Sequence, residues 1–103
     1  MNINKLKYCV FKNNKKLILE AVESNSSIFK YASNELKNDY EFVLKVIKQN
    51  VYAFIYASNK LKNDKKFILD AVKYNSNILL YVSNELKNDE EIILQRIKYN
   101  LSI

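Results

Sequence analysis

Hydrophobic and polar residues follow a pattern along this chain that returns every 25 residues. The clearest copy runs from Asn38 to Asn50. It recurs from Asn63 to Asn75, from Asn88 to Asn100 and, in weaker form, from Asn13 to Asn25. Self-similarity at a short fixed period is typical of solenoid proteins. We therefore divide the chain into four units, residues 1–25, 26–50, 51–75 and 76–100, with residues 101–103 left over.

Each unit is predicted to contain a shorter helix, a turn and a longer helix. The shorter helix of the second unit is predicted over residues 27–36 from apolar residues spaced i, i+3, i+4 and i+8: Ile28, Tyr31, Ala32 and Leu36. The serine and asparagine that recur inside this segment, Ser33 and Asn34 in the second unit, are predicted to make hydrogen bonds at helix ends.

The longer helix of the second unit is predicted to begin at Asn38 or Asp39, because both residues are good N-caps. Asn38 and Glu41 also have capping-box spacing, as do Asn88 and Glu91. The helix is predicted to end at Asn50 in a left-handed conformation, because the chain contains no glycine for that position.

These elements predict an all-α fold, a short α-solenoid of four 25-residue helix–turn–helix repeats with about seven to eight helices. One domain spans residues 1–103. The absence of glycine and proline favours helices over turn-rich strands, and the 49% of hydrophobic residues is enough for a core. The end units are expected to be atypical. Arg96, for example, replaces the apolar residues found at that position in the other units.

The phrase from Ser33 to Asn50, Ser-Asn-Glu-Leu-Lys-Asn-Asp followed by a Phe-Val-Leu core and a terminal Asn, resembles an uncharacterised helical-repeat family. That family is a domain of unknown function found in tandem in bacteria, protists and large viruses. The resemblance covers nearly the whole chain and implies no catalytic residues. Family members usually have glycine after the helix-ending asparagine, where this chain has Ser26, Val51, Ser76 and Leu101.

The shorter helices contain more apolar residues than one buried stripe requires. The candidate partner-binding residues are Phe29, Tyr52, Phe54, Ile55, Leu79 and Leu80. If they are exposed, they form a surface for another protein or for self-association. The alternative is that the shorter helices are packed on both sides, and the sequence leaves both readings open.

Basic residues support a second hypothesis, binding of RNA or DNA. The net charge is +6, and residues 1–37 contain seven basic and three acidic residues. The candidate contacts are Lys5, Lys7, Lys12, Lys37, Lys62 and Lys87, of which the last four recur once per unit. A tyrosine column, Tyr31, Tyr56 and Tyr81, has the chemistry to stack on bases. The ordinary alternatives are lysines at helix ends and tyrosines packed between units.

Charges on the longer helices predict i, i+4 pairs that neutralise one another on a solvated surface, such as Lys16 with Glu20 and Glu41 with Lys45. The chain has no histidine, a single cysteine (Cys9) and no glycine-rich loop. We therefore expect no catalytic residue, no metal site and no cofactor. No apolar run is long enough to span a membrane, and we expect a cytoplasmic location. The predicted function is a non-catalytic, protein-binding repeat module, such as a small adaptor or inhibitor.

Overall fold

The computed structural model describes residues 12–100, except for the side chains of Tyr99 and Asn100. This part of the chain contains ten helical segments and no β-strand. The longer helices are α1 (Lys15–Ser24), α3 (Tyr40–Gln49), α5 (Lys65–Val72) and α7 (Glu90–Asn100). Three 3-10 helices, η1 (Ser26–Tyr31), η2 (Val51–Tyr56) and η3 (Ser76–Tyr81), alternate with three one-turn helices, α2 (Asn34–Lys37), α4 (Asn59–Lys62) and α6 (Asn84–Lys87). The predicted all-α repeat fold is confirmed.

In the second, third and fourth units, each predicted shorter helix is two separate helices in the structure, and the shorter helix predicted for the first unit lies outside the described residues. The backbone is extended where they meet, with ψ of 156° at both Ala32 and Ser33. Ser33 Oγ then accepts the backbone N–H of Leu36 at 3.2 Å and starts α2. The prediction of one continuous helix is wrong because this serine acts as an N-cap. The hydrogen-bonding role predicted for the repeated serine is confirmed, and the split explains why there are more helices than expected.

Asn25 and Asn50 end the longer helices without a left-handed residue. Their φ angles, −149° and −159°, are those of extended backbone, and no residue that the structure describes has a positive φ. The side chain of each asparagine caps the next 3-10 helix instead. In Asn50, Oδ1 accepts the N–H of Tyr52 at 3.1 Å. The predicted left-handed end is therefore wrong, and the turn needs no glycine.

Aspartate residues, not asparagines, cap the longer helices of the second, third and fourth units. Oδ1 of Asp39 accepts the N–H of Phe42 at 3.0 Å, and Asp64 and Asp89 make the equivalent bonds. Asn38 instead ends α2, where its backbone N–H bonds to the carbonyl of Asn34 at 3.1 Å. The choice of Asp39 as N-cap is confirmed. The predicted capping boxes that begin at Asn38 and Asn88 are wrong, because the N-cap is in each case the following residue, Asp39 or Asp89.

Successive units contact each other through equivalent elements. α1 packs against α3 and α5 against α7, while η1 contacts η2 and η2 contacts η3. The core repeats with the sequence. Two positions are buried in each of the first three units: the first is occupied by Ile18, Val43 and Ile68, and the second by Val22, Ile47 and Val72. Burying each such side chain stabilises the fold by about 1.5–3 kcal/mol, so these six residues form a substantial part of the stabilising core.

Polar bonds also join neighbouring units at fixed positions. The backbone N–H of Ser58 donates to the carbonyl of Lys37 at 2.9 Å, and Ser33 makes the same bond to Lys12 at 2.7 Å. The Ser58 hydroxyl donates to Asn38 Oδ1 at 2.7 Å. These bonds fix the register in which one unit lies on the next.

Candidate protein-binding surface

Three of the predicted partner-binding residues, Phe29, Phe54 and Leu79, are buried. The rings of Phe29 and Phe54 pack on the longer helix of their own unit, and the Phe54 ring stacks on that of Phe67 with 6.0 Å between centroids. The prediction assumed α-helical spacing. A 3-10 helix has three residues per turn, which turns these positions toward the core. Their assignment to a binding surface is therefore wrong.

The other three predicted residues are exposed. Relative exposure is 58% for Tyr52, 41% for Ile55 and 69% for Leu80. Tyr52 and Ile55 are three residues apart in η2 and therefore lie on the same side of that 3-10 helix. Leu80 occupies in η3 the position that Ile55 has in η2, and η2 and η3 are in contact. We call the surface formed by Tyr52, Ile55 and Leu80 the 3-10 surface.

The fold does not require apolar residues on the 3-10 surface. In η1, the positions of Tyr52 and Ile55 are taken by Ser27 and Lys30, and η1 forms the same 3-10 helix with the same asparagine cap. At the position of Leu80 and Ile55, therefore, a lysine is compatible with the same 3-10 helix. The helix itself does not account for the apolar side chains at this position of η2 and η3.

Two lysines of the predicted nucleic-acid set are bound to the backbone of the 3-10 helices. Lys37 Nζ donates to the carbonyl of Lys30 at 2.7 Å, and Lys62 Nζ donates to the carbonyl of Ile55. Burial lowers the pKa of Lys62 below its usual value. These contacts agree with the ordinary role of lysine at a helix end. They also place two ammonium groups at the edge of the 3-10 surface.

The remaining basic candidates are differently placed. Lys12 and Lys87 are exposed, and Lys87 lines a groove at the C-terminal end of the described chain. Lys5 and Lys7 lie outside the described residues. In the tyrosine column, Tyr56 and Tyr81 pack against the core, whereas Tyr31 is exposed.

The ion pairs of Lys15 and Lys65 join neighbouring units. Lys15 Nζ lies 3.5 Å from Asp39 Oδ2, and Lys65 Nζ lies 3.1 Å from Asp89 Oδ2 and 3.2 Å from Glu91 Oε1. The hydrogen bond to Lys65 lowers the pKa of Asp89. The longer helices therefore use part of their surface charge to hold units together.

Tyr40 takes the place of Lys15 and Lys65 in the second unit. Its hydroxyl donates to the carboxylate of Asp70, and its ring packs edge-on against Phe67 with 5.0 Å between centroids. Burial, followed by the Asp70 carboxylate, raises the pKa of Tyr40 above its usual range. This contact links the second unit to the third.

Among residues 12–98, no group of three or more acidic, histidine or cysteine side chains is placed to hold a metal ion. Within the same part of the chain, no helix has the length and apolar character needed to cross a membrane. The expectation that the chain has no catalytic residue stays a prediction.

Comparison with known families adds one finding. A family model described as Domain of unknown function (DUF4116) matches residues 14–62 and 64–103. The chain belongs to the DUF4116 family. The two matches begin at Asn14 and Asp64, which are the N-caps of α1 and α5 and lie two 25-residue units apart. The resemblance to an uncharacterised tandem repeat family is confirmed. Neither a curated protein nor a solved structure matches the chain.

Sequence reasoning missed a second set of exposed apolar residues in this DUF4116 chain. Ile93, Leu94 and Ile97 on α7 are exposed, and we call them the C-terminal face. The equivalent residues in the other units are buried or half-buried, so the repeat pattern assigned Ile93, Leu94 and Ile97 to the core. The replacement of an apolar residue by Arg96 was the one sequence signal of an uncovered surface.

Proposed function

We propose that this chain is a non-catalytic helical-repeat module that binds another protein through the 3-10 surface. The observation that supports this function is the exposure of Tyr52, Ile55 and Leu80 at positions where the fold accepts serine and lysine. Large exposed apolar side chains at adjoining positions are typical of protein-binding surfaces. A small adaptor or inhibitor acting inside the cell fits this description.

The partner segment is expected to combine apolar anchors with acidic residues. Tyr52, Ile55 and Leu80 provide the apolar contacts. The ammonium groups of Lys37 and Lys62, held at the C-terminal ends of η1 and η2, provide a positive edge. The net charge of +6 favours an acidic partner over a basic one through the rate of encounter.

Nucleic-acid binding is the alternative, and the lysine contacts weaken it. A row of lysines that tracks a phosphate backbone needs each ammonium group to reach a phosphate, where it replaces a condensed counterion of the nucleic acid; Lys37 and Lys62 are half-buried. Lys37 and Lys62 already donate to backbone carbonyls. Lys12 and Lys87 alone of the described column are exposed, so a continuous row of phosphate contacts is not expected.

The proposal is tested by selecting ligands from a displayed library of peptides that mix apolar and acidic residues. Affinities of the selected peptides are then measured by calorimetry. Ile55→Ser and Leu80→Ser should each weaken binding about tenfold or more, because each removes a central apolar contact. Tyr74→Ser is the matched control, because the exposure of Tyr74, 50%, lies between those of Ile55 and Leu80 and the residue lies beyond the end of α5.

Two results would contradict the proposal. One is peptide binding that is the same in wild type, Ile55→Ser and Leu80→Ser. The other is tight binding to a generic oligonucleotide that falls steeply with salt and is lost in the Lys37→Glu, Lys62→Glu, Lys87→Glu triple variant, which would favour the nucleic-acid alternative.

A further inference from the structure

A positively charged groove adjoins the 3-10 surface at Leu80. Its volume is about 540 Å³, which is within the range of sites for small ligands. The groove lies in the fourth unit, and its lining includes Asn77 and Leu80 of η3, Lys87 and Asn88 at the end of α6, and Arg96 of α7. Two of these side chains are cationic, and none of the described lining residues is acidic.

Arg96 distinguishes this groove from the equivalent places in the earlier units. Val46 and Ala71 hold the same position in α3 and α5, and both are fully buried. In the second unit the equivalent place is covered by the third unit, where η2 contacts η1 and Ser58 donates to the last carbonyl of α2. An apolar cover of that kind would bury the Arg96 guanidinium without a counter-charge, which is costly. The groove therefore suits an occupant that carries an anion.

The two cations of the groove are available to such an occupant. Among the described residues, neither Lys87 nor Arg96 forms an ion pair, and both side chains are exposed. Lys87 differs in this respect from Lys37 and Lys62, whose ammonium groups donate to backbone carbonyls of the 3-10 helices. The fourth lysine of the column is thus the one that shares a concave surface with an arginine.

The other groups of the groove narrow the chemistry of the occupant. The amide groups of Asn77 and Asn88 supply further hydrogen-bond donors. The side chain of Leu80, which is 69% exposed, supplies an apolar contact beside them. Donors and cations next to an exposed leucine match a carboxylate that directly neighbours an apolar side chain.

We infer that this groove binds a carboxylate of the partner segment whose apolar residues lie on the 3-10 surface. The inference rests on the proposed function, because Leu80 belongs both to that surface and to the groove. The carboxylate accepts charge-assisted hydrogen bonds from Lys87 and Arg96, and the planar guanidinium of Arg96 can donate to both oxygens. The partner segment therefore carries an acidic residue, or its own C-terminal carboxylate, next to the residue that contacts Leu80.

Two short probes test the groove in the full chain. They are N-acetyl-leucyl-aspartic acid and N-acetyl-leucyl-asparagine, both with an amidated C-terminus, so that they differ only in the charge of one side chain. NMR titration of the isotope-labelled chain should show shifts of the backbone amides of Leu80, Asn88 and Arg96. The acid probe should bind about threefold or more tightly than the amide probe, and this preference should fall with added salt. A third probe, the asparagine peptide with a free C-terminus, shows whether a terminal carboxylate is bound as well.

Substitution of the two cations tests their roles. Arg96→Gln and Lys87→Gln should each weaken binding of the acid probe about two- to fivefold and leave binding of the amide probe unchanged. Lys45→Gln is the matched control, because it removes the same charge from an exposed position on α3, which does not line the groove. This variant should bind the acid probe as wild type does.

Peptides selected on the 3-10 surface separate this inference from the proposed function. Ile55→Ser should weaken the selected peptides but not the short acid probe, because Ile55 does not line the groove. Arg96→Gln should weaken both. If Ile55→Ser weakens the selected peptides and Arg96→Gln does not, the proposed function stands and the groove has no part in it.

Three further results would overturn the inference. The first is the absence of shifts around the groove with up to about 10 mM acid probe. The second is equal affinity for the acid and amide probes. The third is tighter binding of inorganic phosphate than of the acid probe, which would indicate a phosphate site instead.

Discussion

The side-chain amide of Asn50 donates a hydrogen bond to the carbonyl oxygen of Val22, with 2.8 Å between Nδ2 and O. The same side chain caps η2 through its Oδ1. One residue therefore ends one helix, starts the next and attaches its unit to the unit before it. This contact is the basis of the first prediction.

Asn50→Ala should lower the free energy of unfolding by about 2 kcal/mol, because it removes both the cap and the bond between units. Asn25→Ala is the matched control and should cost about 1 kcal/mol. Asn25 caps η1 in the same way, and among the described residues its amide makes no bond corresponding to the one between Asn50 and Val22. Urea denaturation of both variants measures the difference. Equal losses would show that the bond to Val22 adds nothing.

Tyr40→Phe should lower the free energy of unfolding by about 1–2 kcal/mol. The substitution keeps the ring contact with Phe67 and removes the hydroxyl that donates to Asp70. The double variant with Asp70→Asn should cost less than the sum of the two single variants, because both remove the same bond. Additive losses in denaturant titrations would contradict a direct interaction.

The raised pKa of Tyr40 also predicts a pH dependence at the alkaline end. The folded protein holds this proton more tightly than the unfolded chain, whose tyrosines titrate near about 10. The stabilisation is complete below that pH and is lost as the pH rises through the folded value. Wild type should therefore lose stability more steeply than Tyr40→Phe as the pH increases above about 10. Parallel losses in the two proteins would contradict this assignment.

Asp89→Asn keeps an oxygen for the N-cap of α7 but removes the charge that pairs with Lys65. The pKa of Asp89 is lowered in the folded state, so its stabilisation is present above about pH 4 and is lost as the pH falls through the folded value. The melting temperature of wild type should exceed that of Asp89→Asn at neutral pH, and the difference should shrink as the pH is lowered below about 4. A difference independent of pH would point to the cap instead of the charge.

Phe54→Ala and Ile55→Ala should have very different effects although the residues are neighbours. Phe54 is fully buried and stacked on Phe67, so its truncation should cost about 3–5 kcal/mol. Ile55 faces solvent, and its truncation should change stability by about 0.5 kcal/mol or less. Denaturation of the two variants tests the 3-10 geometry. Equal costs would favour the α-helical spacing that the sequence first indicated.

The 25-residue period and the longer helices were predictable from sequence, because the spacing of residues such as Val43, Val46 and Ile47 is that of a long amphipathic helix. The 3-10 helices were not. Ile28 and Tyr31 of the six-residue η1 and Ala32 directly after it match an α-helical stripe, and only the cap at Ser33 shows that the helix has ended. That one error placed Phe29 and Phe54 on the wrong side.

The candidate surfaces were less predictable than the fold. Tyr52 and Ile55 were identified because they exceed what a single stripe needs. Ile93 and Ile97 were missed because exposure there depends on whether another unit is present, and the residues themselves do not change. The sequence of a repeat predicts which residues face a neighbouring unit, but it does not show whether that neighbour is present.

The backbone bonds between units have a direction. The N–H groups of Ser33 and Ser58 belong to the later unit, and the carbonyls of Lys12 and Lys37 that accept them belong to the earlier one. For these backbone bonds, each added unit thus finds its acceptor on a unit that has already been synthesised. As the chain leaves the ribosome, the backbone N–H of Ser33, and later that of Ser58, can form this bond at once, because the accepting carbonyl has already been synthesised.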